Sequence, residues 1–219
     1  MHNVTVAFAA LLVMLLSYFF GCFNGSFMVS HFIIRDDVRK HGSGNAGLTN
    51  FYRTYGAKYA LLVIACDMGK TVAACLLGSF FFRCLGWDGT LGTLLAGLGC
   101  ELCHIFPVFY GFRGGKGILS GGTLVLLLNW RVAAVAWALF LLLWLTTRYV
   151  SLASITATCS APITVYFVYA HNWLYTGLCL AVAALVVWCH RENIQRLLHG
   201  TEKKFKWHVN PMEGKDPPQ

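Results

Sequence analysis

The chain has 219 residues, of which 57% are hydrophobic and 12% are charged, and its formal net charge is +8. An average soluble domain carries roughly 25% charged residues. So few charges do not cover the surface of a soluble globule of this length. The composition therefore excludes a soluble enzyme, a disordered chain and a secreted disulfide scaffold, and it predicts an all-α integral membrane protein that has the lipid bilayer as its partner.

The positive charge does not indicate a nucleic-acid partner. The basic residues cluster beside apolar runs, as they do in the cytoplasmic loops of membrane proteins. Most of the nine cysteines lie singly within apolar stretches and indicate packing. Cys100 and Cys103 have no second pair, so we predict no metal site there. We also expect no signal peptide, because no Lys or Arg precedes the first apolar stretch.

A transmembrane helix needs about 20 mainly apolar residues. In chain order, the clear candidates are residues 4–23, 59–82, 90–109, 151–169 and 173–189. The region 118–145 has two interpretations. It forms either two short helices separated at residues 129–131, or one long helix that holds Arg131 in lipid.

The distribution of basic residues favours two short helices. Segments 31–58, 110–117, 146–150 and 190–219 then share one side of the membrane, and that side holds 14 of the 17 Lys and Arg residues. A single long helix would move the basic C-terminal segment outside, against the positive-inside bias.

We therefore predict seven transmembrane helices, with the N-terminus outside and the C-terminus cytoplasmic. The helix over residues 118–128 has only 11 residues, so it must thin the membrane or be shielded by its neighbours. Residues 1–211 are predicted to form a single multi-pass domain, and residues 212–219 a polar C-terminal tail.

The first of three polar segments on the predicted cytoplasmic side is HGSGNAGLTN, residues 41–50, with Arg53 shortly after it. Its three glycines allow backbone N–H groups to converge on one point. Arg53 adds a planar cationic fork that suits a phosphate. Small polar side chains complete the segment: Ser43, Asn45, Thr49 and Asn50. The competing interpretation is a polar turn between helices.

The second segment runs from HIFP at residues 104–107 to GGKG at residues 114–117. Lys116 is flanked by glycines, so the backbone can approach an anion while the ammonium neutralises it. The third segment is HRENIQR, residues 190–196, in which His190 and Asn193 lie one helical turn apart on one face. Taken alone, this third segment is better explained as an interfacial helix end whose cations suit the helix dipole.

Together, the three segments supply Arg53, Lys116 and His190 on one predicted membrane face. Glu192 is their only acid, which argues against a di-metal hydrolase site. The implied ligand is anionic, carries phosphate and is reached from the lipid boundary.

The segments GSGNAGLTNFYR, CHIFPVFYGFRGGKG and HRENIQRLLHGTE resemble the three signature motifs of the bacterial acyl-phosphate:glycerol-3-phosphate acyltransferases, the PlsY family. The resemblance covers essentially the whole chain, including the Asp67-x-x-Lys70 pair. Two positions depart from the family pattern: Leu48 stands where the family usually has Ala, and Cys103 stands where Gly commonly precedes the histidine. Neither change removes a polar group.

The resemblance implies transfer of a fatty acyl group from acyl phosphate to the sn-1 hydroxyl of glycerol 3-phosphate, giving lysophosphatidic acid and phosphate. The implied location is the bacterial inner membrane, with the active site facing the cytoplasm. Acyl phosphate is already activated, so the resemblance implies no cofactor and no metal. Catalysis would come mainly from orientation and charge neutralisation. The proton acceptor is His190 or a phosphate oxygen of the donor, and we favour the phosphate.

The resemblance also carries site residues over, motif by motif. Catalysis falls to His190, Lys116, Asn193 and Arg53. Glycerol 3-phosphate would be held by Ser43, Arg53, Lys116, His190 and Asn193. Acyl phosphate would be held by Ala46, Gly47, Thr49, Asn50 and Ser154.

Three ionisable groups, Asp67, Lys70 and Glu101, fall inside predicted spans. Such groups are functional candidates, but we favour a structural network that joins the second and third spans. The stretch KKFKW at residues 203–207 also has two interpretations. It rests on anionic lipid headgroups, or it is a solvated tail.

Two other functions compete with acyl transfer from acyl phosphate. His31 and Asp36 have the His-x4-Asp spacing of another acyltransferase class, but a chance match of so short a motif is common. A transporter of an organic phosphate would need polar residues along a path through the membrane. The outer half of the predicted bundle is nearly all apolar.

Overall fold

The structure, a computed structural model, describes residues 2–207 and the side chains of residues 4–207. The described part is helical and contains no β-strand, which confirms the all-α prediction. The α-helices in chain order are α1 His2–Gly21, α2 Gly25–Met28, α3 Leu48–Tyr55, α4 Ala60–Cys84, α5 Gly89–Ile105, α6 Ile118–Leu128, α7 Trp130–Thr147, α8 Val150–Val168, α9 Trp173–Cys189 and α10 Arg191–Leu198. Single turns of other helix types cover Val29–Ile33, Val38–Lys40 and Val108–Tyr110.

Each of the seven predicted spans contains a helix. Five segments of the described chain are long and apolar enough to cross a membrane: Val4–Ile33, Ala60–Cys84, Gly89–Tyr110, Trp130–Thr147 and Val150–Val168. A sixth arises if α9 and α10, which are bent by 59° relative to each other, count as one broken span. Helix α6, with 11 residues, is shorter than the roughly 20 residues that a transmembrane helix needs. The chain is therefore an integral membrane protein, while seven crossings and their orientation stay predictions.

The first span continues beyond its predicted end at residue 23. Helix α1 ends at Gly21, and three residues later the Asn24 Oδ1 atom accepts a hydrogen bond from the Phe27 N–H at 2.9 Å. This cap starts the short helix α2. The apolar segment then runs on to Ile33.

The predicted break between the fourth and fifth spans is confirmed. Asn129 is extended, with φ −165° and ψ 132°, and it separates α6 from α7. Its Oδ1 atom accepts a hydrogen bond from the Arg131 N–H at 2.9 Å, so Asn129 also caps α7. The Tyr169 hydroxyl donates to the carbonyl oxygen of Leu128 at 2.8 Å. This bond satisfies one of the carbonyl groups that the end of a helix leaves unpaired.

Helix α5 is the buried centre of the bundle, and it packs against α1, α4, α6 and α9. Glycine makes the close crossings possible. A Cβ atom on Gly99 would collide with the backbone of Met14, and Gly78 and Gly92 face each other across the α4–α5 contact. Small residues of this kind let membrane helices approach closely. The tight packing fixes the end of α5, where the second polar segment begins.

Candidate active site

The first polar segment, residues 41–50, is a loop that leads into α3 and is organised by Asn50. The Asn50 Oδ1 atom accepts a hydrogen bond from the backbone N–H of Ser43 at 2.9 Å. Its Nδ2 group lies within hydrogen-bond distance of three carbonyl oxygens, those of Val38 at 3.1 Å, His41 at 3.0 Å and Asn45 at 3.0 Å. Asn50 is buried, so its side chain shapes the loop from within. Its contact with acyl phosphate stays a prediction.

Backbone contacts join this loop to the glycine-rich segment 114–117. The Ala46 N–H donates to the Gly114 carbonyl oxygen at 3.3 Å, and Asn45 Nδ2 donates to the same oxygen at 3.4 Å. On the other side of the loop, Asn24 Nδ2 donates to the Ala46 carbonyl oxygen at 3.0 Å. The two segments predicted to bind phosphate therefore form one connected unit.

Lys116 and Asn193 are in direct contact, in agreement with their predicted location on one side of the membrane. The Lys116 ammonium donates a hydrogen bond to Asn193 Oδ1. Asn193 Nδ2 in turn donates to Glu202 Oε1 at 2.7 Å. Glu202 also accepts from the Ser151 hydroxyl at 2.8 Å and from Arg196 Nε at 2.7 Å. The carboxylate thus connects α8, α10 and, through Asn193, the lysine of the second segment.

Sequence reasoning did not single out Glu202, although this residue is the last one of the third signature motif, HRENIQRLLHGTE. Burial alone would raise the pKa of the Glu202 carboxyl. Hydrogen bonds from Arg196, Asn193 and Ser151 outweigh that effect and hold the pKa below its ordinary value. Glu202 is therefore a fixed negative charge within a group of cations.

Arg53 lies beside this group on α3, where its guanidinium Nη2 donates to the carbonyl oxygen of Lys203 at 3.3 Å. Burial lowers the pKa of Arg53, Glu202 partly restores it, and Arg196 lowers it further. Burial also lowers the pKa of Lys116, and the charge of Arg196 adds to that effect. The cations Arg53, Lys116 and Arg196 thus lie near a single carboxylate, that of Glu202. The site has a positive net charge, which suits a phosphate dianion.

His190 is buried at the bend between α9 and α10. Its Nδ1 atom lies 2.7 Å from the Val186 carbonyl oxygen. A carbonyl can only accept, so Nδ1 carries the proton and Nε2 of the neutral ring is an acceptor. Among the described residues Nε2 has no hydrogen-bond partner. Asn193 follows three positions later, one turn along α10.

The remaining predicted residues lie in the loop before α3, in α3 itself and on α8. Gly47 caps α3 and Thr49 is half-buried in its first turn. Ser154 is buried on α8, one turn after Ser151. Ser43 is exposed. In the described part of the chain, no hydrogen bond joins the side chain of Ser43 or Ser154 to Lys116 or Asn193.

Residues 201–207, the C-terminal strap, are docked on the protein. The Phe205 N–H donates to the Arg148 carbonyl oxygen at 2.8 Å, and the Tyr52 hydroxyl donates to the Trp207 carbonyl oxygen at 2.7 Å. The Trp207 ring lies 5.1 Å from that of Trp144. The backbone of this stretch is therefore held against the protein, while Lys203, Lys204, Lys206 and Trp207 stay exposed, and contact with anionic lipid headgroups stays a prediction. The polar tail predicted for residues 212–219 lies outside the described residues.

The predicted network between the second and third spans exists, but its third member is His104 and not Glu101. The Lys70 ammonium donates to Asp67 Oδ1 at 2.8 Å and to His104 Nδ1 at 2.7 Å. Both Glu101 carboxylate oxygens are buried without a hydrogen-bond partner in the described part of the chain. They lie against Gly117, where a Cβ atom would collide with Oε2. Helix spacing alone could not distinguish Glu101 from His104, because both lie near the end of α5.

The His-x4-Asp pair is not formed. His31 stacks on Phe27, with ring centroids 5.3 Å apart. The Asp36 carboxylate instead contacts His41 Nε2 at 2.7 Å. The spacing of His31 and Asp36 is therefore a chance match.

The chain resembles known proteins over most of its length. The sequence model of the family described as glycerol-3-phosphate acyltransferase matches residues 11–200. A protein of that name from Syntrophomonas wolfei subsp. wolfei is 40% identical over 197 residues, which are 90% of this chain and 96% of the relative. One from Finegoldia magna is 38% identical over 189 residues, which are 86% of this chain and 92% of the relative.

Two solved structures have the same fold. The crystal structure of PlsY (YgiH), an integral membrane glycerol 3-phosphate acyltransferase, in its glycerol 3-phosphate form, superposes with a TM-score of 0.79 at 36% identity. The superposition covers 90% of this chain and 96% of the PlsY chain. The lysophosphatidic acid form gives a TM-score of 0.77 at 34% identity, covering 90% of this chain and 95% of its own.

The helical bundle and these matches together define an integral membrane acyltransferase. Within that class, the chain belongs to the glycerol-3-phosphate acyltransferase family.

Proposed function

We propose that this protein transfers a fatty acyl group from acyl phosphate to the sn-1 hydroxyl of glycerol 3-phosphate, releasing lysophosphatidic acid and phosphate. The observation that carries this proposal is the cluster of Arg53, Lys116 and Arg196 beside the Asn193–Glu202 pair. It supplies several phosphate-binding groups in one place. The related PlsY structures were solved in forms named for the acceptor substrate and for the acylated product, which supports the same acceptor here.

Glycerol 3-phosphate is assigned to the side of the site that contains Lys116 and Asn193. The ammonium of Lys116 and the guanidinium of Arg53 neutralise the phosphate, and the Arg53 fork matches two of its oxygens. Asn193 is held by Glu202 at 2.7 Å, so its side chain needs little reordering when the substrate arrives. The full assigned set is Ser43, Arg53, Lys116, His190 and Asn193.

Acyl phosphate is assigned to the loop that begins α3. Gly47 caps the helix, so the first N–H groups of α3 are unpaired and can face an anion. The Asn50 side chain holds the loop in shape without a ligand. Such preorganisation reduces the entropy lost on binding. The assigned set is Ala46, Gly47, Thr49, Asn50 and Ser154.

The reaction needs two bound phosphates and one proton acceptor. The sn-1 oxygen attacks the acyl carbonyl carbon, the bond from that carbon to the phosphate oxygen breaks, and phosphate leaves with the bonding electron pair. His190 Nε2 can accept a hydrogen bond from the acceptor hydroxyl and orient it. We assign the proton to an oxygen of the departing phosphate, with Arg53 and Lys116 neutralising the negative charge.

The same proposal includes seven membrane crossings, with the N-terminus outside and the site facing the cytoplasm of a bacterial inner membrane. Helix α6 is short, but it packs against α4, α5, α7 and α8. Its inner face is formed by Leu124, Val125 and Leu128, all of which are buried. Neighbouring helices therefore shield it from lipid, which makes an 11-residue crossing tolerable.

The test is incubation of the purified protein in detergent with glycerol 3-phosphate and either acyl phosphate or acyl-CoA. We expect lysophosphatidic acid and inorganic phosphate in equal amounts from acyl phosphate, and no product from acyl-CoA. Product from acyl-CoA alone would overturn the donor assignment. If neither donor gives product, the proposed acyltransferase activity is wrong, and transport of an organic phosphate becomes the hypothesis to test.

A further inference from the structure

The buried Lys70 ammonium has an acceptor for each of its three protons. Asp67 Oδ1 lies at 2.8 Å, His104 Nδ1 at 2.7 Å and the Gly21 carbonyl oxygen at 3.4 Å. Lys70 and Asp67 are 6% and 1% exposed. A buried charge that is paired and fully hydrogen-bonded has a defined position, because every movement breaks a bond that water does not replace.

The contact with Lys70 also fixes the ring of His104. An ammonium can only donate, so Nδ1 is the acceptor and the ring proton of His104 lies on Nε2. The Nε2 atom lies against Gly115, where a Cβ atom would collide with it. The backbone of the same turn holds the glycine-rich segment, since the Gly115 N–H donates to the His104 carbonyl oxygen at 2.9 Å. The Gly114 N–H donates to the Ile105 carbonyl oxygen at 3.1 Å. Lys116 is the next residue.

Asp67, the acidic member of the ion pair, is connected to the loop around Ala46. Asp67 Oδ1 accepts a hydrogen bond from the Gly25 N–H at 3.0 Å, at the start of α2. Asn24, the preceding residue, donates to the Ala46 carbonyl oxygen at 3.0 Å. Both segments that would hold phosphate are thus connected to one buried ion pair that neither substrate needs to touch.

We propose that Asp67, Lys70 and His104 form a positioning network that sets the distance between Lys116 and the loop around Ala46. This inference rests on the proposed function and deepens it. The network acts through the backbone of residues 114–116 and through α2, and its members are positioning residues. A misplacement of about 1 Å in an active site can lower the rate about 100-fold.

The decisive variant replaces the whole ion pair, Asp67→Leu with Lys70→Met. Exchange of a buried pair for apolar side chains of similar size is often neutral for stability. We expect a folded protein whose thermal midpoint stays near the wild-type value. Its kcat/KM for glycerol 3-phosphate should fall at least 10-fold, with part of the loss in KM because Lys116 is displaced. A folded double variant with wild-type kcat and KM would overturn the proposal.

A second pair of variants keeps the test decisive if the double variant fails to fold. In His104→Asn, the side-chain oxygen stands near the place of Nδ1 and can accept from Lys70, whereas His104→Leu cannot. We expect His104→Asn to retain most of the turnover and His104→Leu to lose at least 10-fold in kcat/KM. Equal activity of the two variants would contradict a role for the Lys70 contact.

Thr93→Val is the matched control. Thr93 is buried on α5, and its hydroxyl bonds only its own helix, at 3.0 Å to the Gly89 carbonyl oxygen. This variant should keep wild-type kinetics. Wild-type protein is assayed beside every variant with whichever donor it turns over. An inactive wild type contradicts the proposed function, whereas active wild type with unaffected network variants contradicts only the positioning role.

Discussion

Lys116 and Asn193 are 77 positions apart in the sequence, and the ammonium of the first donates a hydrogen bond to the side-chain oxygen of the second. The bond connects the loop after α5 with the helix after α9. The Asn193 side chain is fixed in turn by Glu202, whose Oε1 atom accepts a hydrogen bond from Asn193 Nδ2 at 2.7 Å. Each partner therefore limits the freedom of the next, and the Lys116 ammonium has a defined position.

Lys116→Ala should reduce kcat/KM for glycerol 3-phosphate by at least about 100-fold, because the loss of a preorganised charge at a developing anion costs roughly this much. The variant should remain folded and membrane-inserted, since Lys116 lies in a loop outside the packed helices. Steady-state kinetics of the purified variant measure the effect. Lys58→Ala removes the same charge at an exposed position that is not among the assigned site residues and should leave the kinetics unchanged. Wild-type kinetics of Lys116→Ala would remove this residue from the site.

The charge of Glu202 predicts a loss of stability in acid. Its pKa is lower in the folded protein than the ordinary value of about 4.3. The folded state therefore binds fewer protons than the unfolded state, and the stabilisation is complete above about pH 5 and is lost as the pH falls through the folded pKa. The thermal midpoint in detergent should drop between pH 7 and about pH 3 by more in the wild type than in Glu202→Gln. Equal drops would show that Glu202 contributes nothing to this dependence.

His190 separates two mechanisms for the proton. If the departing phosphate accepts it, His190→Asn or His190→Gln should retain substantial turnover, because either side chain can still hydrogen-bond the acceptor hydroxyl. Much of the loss in His190→Ala should then appear in KM and be recovered at high glycerol 3-phosphate. A general base would instead cost about 10²–10⁴-fold in kcat even at saturation. Inactive Asn and Gln variants that still bind glycerol 3-phosphate normally would return the base role to His190.

Topology is testable with single cysteines in a background lacking the nine native ones. Asp88→Cys and Arg131→Cys, both at exposed positions, should react from outside with an impermeant thiol reagent. Lys58→Cys and Arg191→Cys, also exposed, should react only after the membrane is opened. Outside labelling at position 191 would favour six crossings over seven. Labelling is read as a mass shift of the purified protein.

Local patterns in the sequence were enough to predict the helices and the break at Asn129, because apolar length and polar interruptions are properties of short segments. They also predicted that Lys116, Asn193 and His190 share one face of the membrane. They did not reveal Glu202 or the link from Lys70 to His104, since these contacts depend on how distant helices pack. Glu101 shows the same limit. An acid inside a span is expected to join the ion-pair network, but Glu101 lies beside Gly117 and has no hydrogen-bond partner among residues 4–207.

The docking of the C-terminal strap has a consequence for biosynthesis. Arg53 and Lys116 leave the ribosome long before Glu202, which holds Asn193 and Ser151 in place. A nascent chain that has inserted only its earlier helices therefore has the cations of the site without their partners. The last helix and the strap complete the arrangement, so a chain released early should have no acyltransferase activity.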